Sequence, residues 1–442
     1  MSIIKLLNKN LKRCLFTTPS HSQKPCFSGR FSDFYKKDLS EIEGYDNLSN
    51  PKGAILMAQA KASEIVKSKQ TFFVTQGATT ALLSAIKAIV SFNDKVLVAR
   101  HCHRAVFNAL VLTAGNVDWF MPEFDEDWGV YKEIDPDKLK KTLEMNDYKA
   151  FIMTSPTYEG INSDLEKIAS VCQSKGVILL VDEAHGSLNV FSGRFKSAIE
   201  AGCDVSVNSL HKTAGALNQT ALLNVSNNSR LEGSIFQKAK NIFHTTSPSY
   251  PLLYNIEECL AFLNSKKGKQ KIEKLYSDIK KMQDNLKKYG FEFYNEFNHD
   301  MSKILVRHKN ISSTWLSDVL FDEFNIEDEM SCENFCLYMT GIGTDNKKLK
   351  KLEKALIKVL GKKDKKEKTN TENIAQPHPL VKIQPFLTFN LNYVYVNKSD
   401  AVGKISNSLI CPYPPGIGIL YPGEVIQEWH LDYLEEDVEV VK

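Results

Sequence analysis

Lys212 stands in the run Asn208-Ser209-Leu210-His211-Lys212-Thr213, directly after an apolar stretch at 204–209 and before the small residues Ala214, Gly215 and Ala216. A lysine held at a strand end beside a histidine, shielded from bulk water, has the placement that depresses an amine pKa and makes it a Schiff-base nucleophile. A solvated structural lysine is the plainer reading of the same residue. Asp182 follows Ile-Leu-Leu-Val in the segment Val181-Asp182-Glu183-Ala184-His185-Gly186. An unpaired carboxylate at the edge of a buried sheet is costly, so Asp182 needs a cationic partner. Asp-Glu-Ala-His is also a nucleotide-binding signature of helicases, but no GxxxxGK[ST] phosphate loop precedes it here.

Two further turns carry candidate groups. Gln76-Gly77-Ala78-Thr79-Thr80 is a small-residue turn opening a helical pattern, which offers backbone N–H groups and hydroxyls to an anion. An ordinary helix cap at Thr79 would look the same. Arg100-His101-Cys102-His103-Arg104 places two histidines two apart, where they could bind a metal, stack on a planar ligand or cap the next helix. No third and fourth ligand stands at metal-site spacing, so no metal is expected. An anion-binding turn, an acid wanting a cation, a stacking histidine and an activated lysine together match the needs of pyridoxal 5′-phosphate. Its phosphate needs the turn, its ring nitrogen a carboxylate, its ring a planar cover and its aldehyde a lysine.

These groups follow one another on strand ends, where open α/β sheets gather their ligands. Short apolar runs at 71–75, 95–100, 150–155, 177–182, 204–209 and 221–225 alternate with helical patterns, including 80–91 and 165–175. That alternation predicts βαβ units and a mainly parallel sheet covered on both faces. A single long Lys-rich helix is predicted over 252–289, ending at Gly290, followed by strands in FEFYNEF and KILVRH and a helix that stops at Gly361. The charged, low-complexity stretch 362–373 reads as a solvated loop. The expected organisation is an N-terminal arm at 1–40, a large cofactor domain at 41–265 and a smaller α+β C-terminal domain at 266–442.

With 442 residues, 43% hydrophobic and 25% charged, the chain can bury a large core, which excludes collagen, extended disorder and a small disulfide scaffold. Lys and Arg number 56 against 53 Asp and Glu, so nothing suggests a nucleic-acid partner. Nine cysteines without a CxxC pair fit reduced thiols in a reducing compartment. No apolar run approaches a membrane span. The acid-free first 32 residues could be a transit peptide, though an amphipathic helix at 3–15 followed by a loop is the preferred reading, with a cytoplasmic location.

The sequence resembles the Orn/Lys/Arg decarboxylase family of fold-type I pyridoxal-phosphate enzymes, and is most similar to the shorter bacterial arginine decarboxylase type. The resemblance rests on segments such as FFVTQGATTALLSAI (72–86), VARHCHRAVFNAL (98–110), ILLVDEAHG (178–186), AGCDVSVNSLHKTAGALNQTALL (201–223), TTSPSY (245–250) and AVGKISNSLICPYPPGIGILYPGE (401–424). It implies that Lys212 binds the cofactor aldehyde, His211 touches the phosphate or positions the lysine, and Ser209 binds phosphate with Gly77, Ala78 and Thr79. It implies that Asp182 pairs with the ring nitrogen, Ala184 packs on one ring face and His103 stacks on the other. Ser247 would approach the cofactor of a neighbouring subunit in a homodimer or higher oligomer, and Glu424 and His185 would face the substrate. Two departures stand out: Pro19-Ser20-His21-Ser22 replaces the family's PGHK-like segment, and Ala78 replaces a common Ser or Thr. The implied activity is decarboxylation of a basic amino acid, arginine first and lysine or ornithine next, serving polyamine biosynthesis. An aminotransferase or lyase of the same fold, and a non-catalytic homologue, are the alternatives.

Overall fold

The computed structural model describes residues 2–8, 32–362, 365–367, 376–412 and 415–442. They form two compact units, each made from two stretches of chain: Met1–Ala88 with Leu180–Ile272, and Ile89–Leu179 with Glu273–Lys442. The strands used below are β1 (Gln70–Val74), β2 (Lys95–Ala99), β3 (Asn116–Phe120), β4 (Ala150–Thr154), β5 (Ile178–Asp182), β6 (Val205–Ser209), β7 (Ala221–Val225), β8 (Phe291–Phe293), β9 (Lys303–His308), β10 (Met330–Ser331) and β11 (Cys336–Met339).

In the first unit β5 and β6 pair in parallel, with Leu180 opposite Val205 and Asp182 opposite Val207. β7 runs antiparallel to β6 on one side and to β1 on the other. Every residue of β5, β6 and β7 is buried, which is why β5 and β7 read as mostly Val, Ile, Leu and Ala: a strand covered on both faces has no side for water, and the polar residues of β6 are hydrogen-bonded inside the protein. In the second unit β2 pairs in parallel with both β3 and β4. β8 to β11 form a separate antiparallel sheet in the order β8-β9-β11-β10.

All six apolar runs are strands, each displaced from its expected bounds by no more than a residue at either end. β3 was not expected. Its sequence, Asn-Val-Asp-Trp-Phe, interrupts the apolar run with Asn116 and Asp118, which lie half-buried while Val117, Trp119 and Phe120 point inward. The long helix expected over 252–289 is two helices, Tyr250–Asn264 and Lys266–Leu286, with a 3-10 turn at Lys287–Tyr289. Ser265 leaves the helical region with ψ near 161°, and its hydroxyl accepts the Gly268 N–H at 3.1 Å, ending one helix and capping the next. Gly268 is required there because an added Cβ would stand 2.1 Å from the Phe262 carbonyl oxygen.

Within the second unit the largest fully buried side chain is Arg100, immediately after β2. Its Nη1 and Nη2 donate to the two oxygens of Glu424 at 2.5 and 2.9 Å, and Nη2 also donates to the Ile419 carbonyl at 2.7 Å. The guanidinium lies over the rings of both Trp119 and Tyr421, 4.6 Å from each centroid. Both members of the ion pair are only 1–2% exposed, so removing either partner leaves a desolvated charge behind. Arg100→Met is expected to lower unfolding free energy by about 3–5 kcal/mol in a urea titration; a change below about 1 kcal/mol would show the pair to be energetically neutral.

Candidate active site

β5 carries Asp182 to its end with 3% of its surface exposed. Oδ1 of the carboxylate accepts the Ala184 N–H at 3.1 Å. Burial raises its pKa, opposed by the positive Lys212 across the strand ends and by that N–H donor. Asp182 therefore has the cationic neighbour its position demands. Lys212 lies three residues beyond β6, and its Nζ is 2.7 Å from Nε2 of His185, a buried residue three positions after Asp182. The lysine, the aspartate and the Asp-Glu-Ala-His turn are thus brought together by the parallel pairing of β5 and β6. Ala184, 4% exposed, presents only a methyl group beside them.

Ser209 is fully buried at the end of β6, and its hydroxyl is 3.2 Å from Nδ1 of His211. Burial, with Lys212 adding to it, lowers the His211 pKa and favours the neutral ring. The Ser209 carbonyl accepts the Ser187 hydroxyl at 2.9 Å, tying the two strand-end turns together. The Gln76 to Thr80 turn opens the Gly77–Ile89 helix as expected. One detail differs. Gly77, at φ 81°, turns its N–H to the Gln219 carbonyl at 2.7 Å, so it does not point at an anion, and the helix's first turn offers those of Ala78 and Thr79. The Thr80 hydroxyl is taken up by the Gln76 carbonyl at 3.2 Å. Ser247 is exposed on the segment after the Gly233–Phe243 helix, and its N–H donates to the Thr245 hydroxyl at 3.2 Å.

His103 and Glu424 belong to the second unit. His103 is the N-cap of the Arg104–Thr113 helix, its Nδ1 accepting the Ala105 N–H at 3.1 Å, which is the capping role open to it from sequence. Glu424 differs from expectation. Both of its oxygens are committed to Arg100, and one also accepts the Tyr421 N–H at 3.0 Å, so its charge is neutralised inside the chain rather than directed at a substrate cation. Pro19-Ser20-His21-Ser22 lies outside the described residues, as does the 3–15 helix beyond Leu7 and Asn8. Among the described residues no cluster of His, Cys, Asp and Glu could hold a metal ion, and no helix is long and apolar enough to cross a membrane.

Glu183, next to Asp182, is a functional-looking group that sequence reasoning left without a role. Its oxygens accept the Ala198 N–H and the Asn208 amide, each at 3.1 Å. The ladder continues: Asn208 Oδ1 accepts from Asn224 at 2.8 Å, and Asn224 Oδ1 accepts the Thr71 hydroxyl at 2.8 Å. Four residues, Glu183 just past β5, Asn208 on β6, Asn224 on β7 and Thr71 on β1, thus form one buried polar row.

The set can hold a flat group bearing an aldehyde, a basic ring nitrogen and a phosphate. Lys212 could meet the first, Asp182 the second, and Ser209, His211 and the Ala78–Thr79 amides the third. The residues present therefore fit the cofactor that the sequence suggests.

Comparison with known proteins agrees. The Orn/Lys/Arg decarboxylase major-domain model matches residues 7–344, and the C-terminal-domain model of the same family matches 375–441. The arginine decarboxylase of Bacillus subtilis is 29% identical over 444 residues, covering 96% of this chain and 90% of that protein. The solved lysine decarboxylase A from Pseudomonas aeruginosa superposes with a TM-score of 0.86 at 16% identity, over 100% of this chain and 80% of the other. The Francisella novicida lysine decarboxylase LdcF gives 0.85 at 17% identity with the same coverage. The fold is that of the fold-type I pyridoxal-phosphate enzymes, with a mostly parallel sheet and a separate smaller C-terminal domain.

Burial pushes the Glu183 carboxyl up to about 8 from 4.5, with the acids Glu200 and Asp182 adding to it and the two donors opposing it. A carboxyl raised in the folded state favours the fold fully below its unfolded pKa, and that contribution is lost as pH climbs through the folded value. Glu183→Gln has no titrating group there. The melting temperature of Glu183→Gln relative to wild type should therefore rise between about pH 5 and about pH 8; a difference that stays constant over that range contradicts the assignment.

Proposed function

The chain belongs to the Orn/Lys/Arg decarboxylase family, and from that premise we propose that it removes the α-carboxylate of a basic amino acid as carbon dioxide and releases the corresponding amine. Arginine is the first candidate substrate, supported by the near-full-length similarity to arginine decarboxylases, with lysine or ornithine next. The observation that carries the reading is the pairing of Lys212 and His185 at 2.7 Å beside the buried Asp182 carboxylate.

Lys212, Asp182, Ala184, Ser209, His211 and the amides of Ala78 and Thr79 would hold pyridoxal 5′-phosphate. When bound, that group supplies an electron sink for the pair left behind when the carboxylate departs. The Asp182 carboxyl, with Lys212 and the Ala184 N–H both favouring its charged form against burial, would pair with a protonated ring nitrogen opposite it. Its own N–H contact from Ala184 fixes the direction in which that charge points. The Lys212 amine, within hydrogen-bond reach of His185 Nε2, can hand over or receive a proton at Nζ, and Lys212 or a nearby histidine would return the proton to the substrate α-carbon. Neutral His211 accepts or donates beside the Ser209 hydroxyl without adding a second cation next to Lys212. We further read the enzyme as a cytoplasmic homodimer feeding polyamine synthesis, with the exposed Ser247 contributed across the subunit interface.

Carbon dioxide release from arginine, lysine and ornithine tests the reading. Wild type should be fastest on arginine, Lys212→Ala should release none, and Asp182→Asn should fold normally but lose at least about 100-fold in kcat. No release from any of the three amino acids, or full activity in Lys212→Ala, would refute it.

A further inference from the structure

β1 stops at Val74, the last residue with a ladder partner in β7, so the next backbone N–H, that of Thr75, must be satisfied elsewhere. It donates to Nε2 of His244 at 3.1 Å, and the Thr75 hydroxyl lies 3.3 Å from the same nitrogen. With Nε2 accepting, the ring proton belongs on Nδ1, which faces the Thr245 carbonyl at 3.1 Å. The following residue is clamped too: Gln76 Oε1 accepts the Thr245 N–H at 2.6 Å. His244 is itself fixed, since its N–H closes the Gly233–Phe243 helix on the Lys240 carbonyl at 2.8 Å. The two residues immediately before the Gly77–Ile89 helix are therefore held by side chains and backbone of 244–245, while Gly77 is held by Gln219.

The His244 ring must stay neutral for this arrangement, because a protonated ring cannot accept from Thr75. Burial lowers its pKa to about 4, and the neighbouring Lys240 pushes in the same direction. Lys240, one helical turn earlier, is fully buried with its Nζ donating to the Leu48 carbonyl at 3.0 Å. His244 is thus kept in its accepting form by its surroundings.

We infer that His244 is a positioning residue for the anion-binding turn: by holding Thr75 and, through Thr245, Gln76, it fixes the direction in which the Ala78 and Thr79 N–H groups point. The inference rests on the reading that a cofactor phosphate sits at this turn. His244 makes no contact with the ligand in this role. Its effect is specific to the phosphate, which separates it from a merely structural one.

The test compares pyridoxal 5′-phosphate with pyridoxal, which lacks the phosphate, by visible-absorbance titration of wild type, His244→Gln, His244→Leu and Gln76→Ala freed of bound cofactor. His244→Leu should lose about tenfold in affinity for the phosphate form, the scale of one or two hydrogen bonds, and change little toward pyridoxal. His244→Gln, whose Oε1 can still accept from Thr75, should recover most of the loss. Gln76→Ala changes an exposed side chain and should show the same selective loss more weakly, so it serves even if His244→Leu fails to fold. Equal weakening toward both ligands, or no weakening in any variant, overturns the inference. A wild type that binds both ligands equally refutes the phosphate placement itself, and the inference with it.

Discussion

Charge carried into places that water does not reach is the constraint on which the rest of this structure depends. The strands β5, β6 and β7 are buried along their whole length, so any acid at their ends loses hydration and must be matched inside the protein. Asp182 is matched by Lys212, and Glu424 by Arg100 between two aromatic rings. A third pair, Asp300 with Lys303 at 3.4 Å, is buried in the same way and further braced by the Tyr276 hydroxyl at 3.0 Å. The first two pairs join segments distant in sequence, and in all three a partner removed would leave an uncompensated charge.

Adjacent carboxyls serve opposite ends within this scheme. Asp182 lies beside the Lys212 cation and keeps one oxygen on a backbone N–H, both of which favour its charged form against burial. Glu183 turns the other way into a row of amides and a hydroxyl, where burial favours the proton. One peptide step changes which face of the sheet a side chain meets, so two acids in sequence acquire two chemistries. The lysine reaches the first of these because parallel pairing sets Asp182 and Ser209 at the same edge, and the turn after β6 then needs only three residues to bring Lys212 across.

Much of this was legible from residue order. Runs such as Ile178-Leu-Leu-Val-Asp182 announce a strand covered on both faces, and the order of turn, acid and lysine points to a pyridoxal site before any geometry is known. What escaped is long-range or locally ambiguous. Strand β3 hides behind Asn116 and Asp118, whose half-buried positions only tertiary packing explains. The break at Ser265 lies in a pattern whose amphipathic period continues on both sides, and only the cap geometry reveals it. Glu424 looked like a free acid because its partner stands 324 positions earlier, and no local pattern couples them. His244 gave no signal either, since its role depends on where β1 stops.

The central claim is that Lys212, and no other lysine, is the amine this fold builds for the cofactor aldehyde. Borohydride reduction of the holoenzyme followed by peptide mapping tests it most directly. A single pyridoxyl group on Lys212 is the result the account predicts; a pyridoxyl group on another lysine, such as the buried Lys240, or none at all, would contradict it.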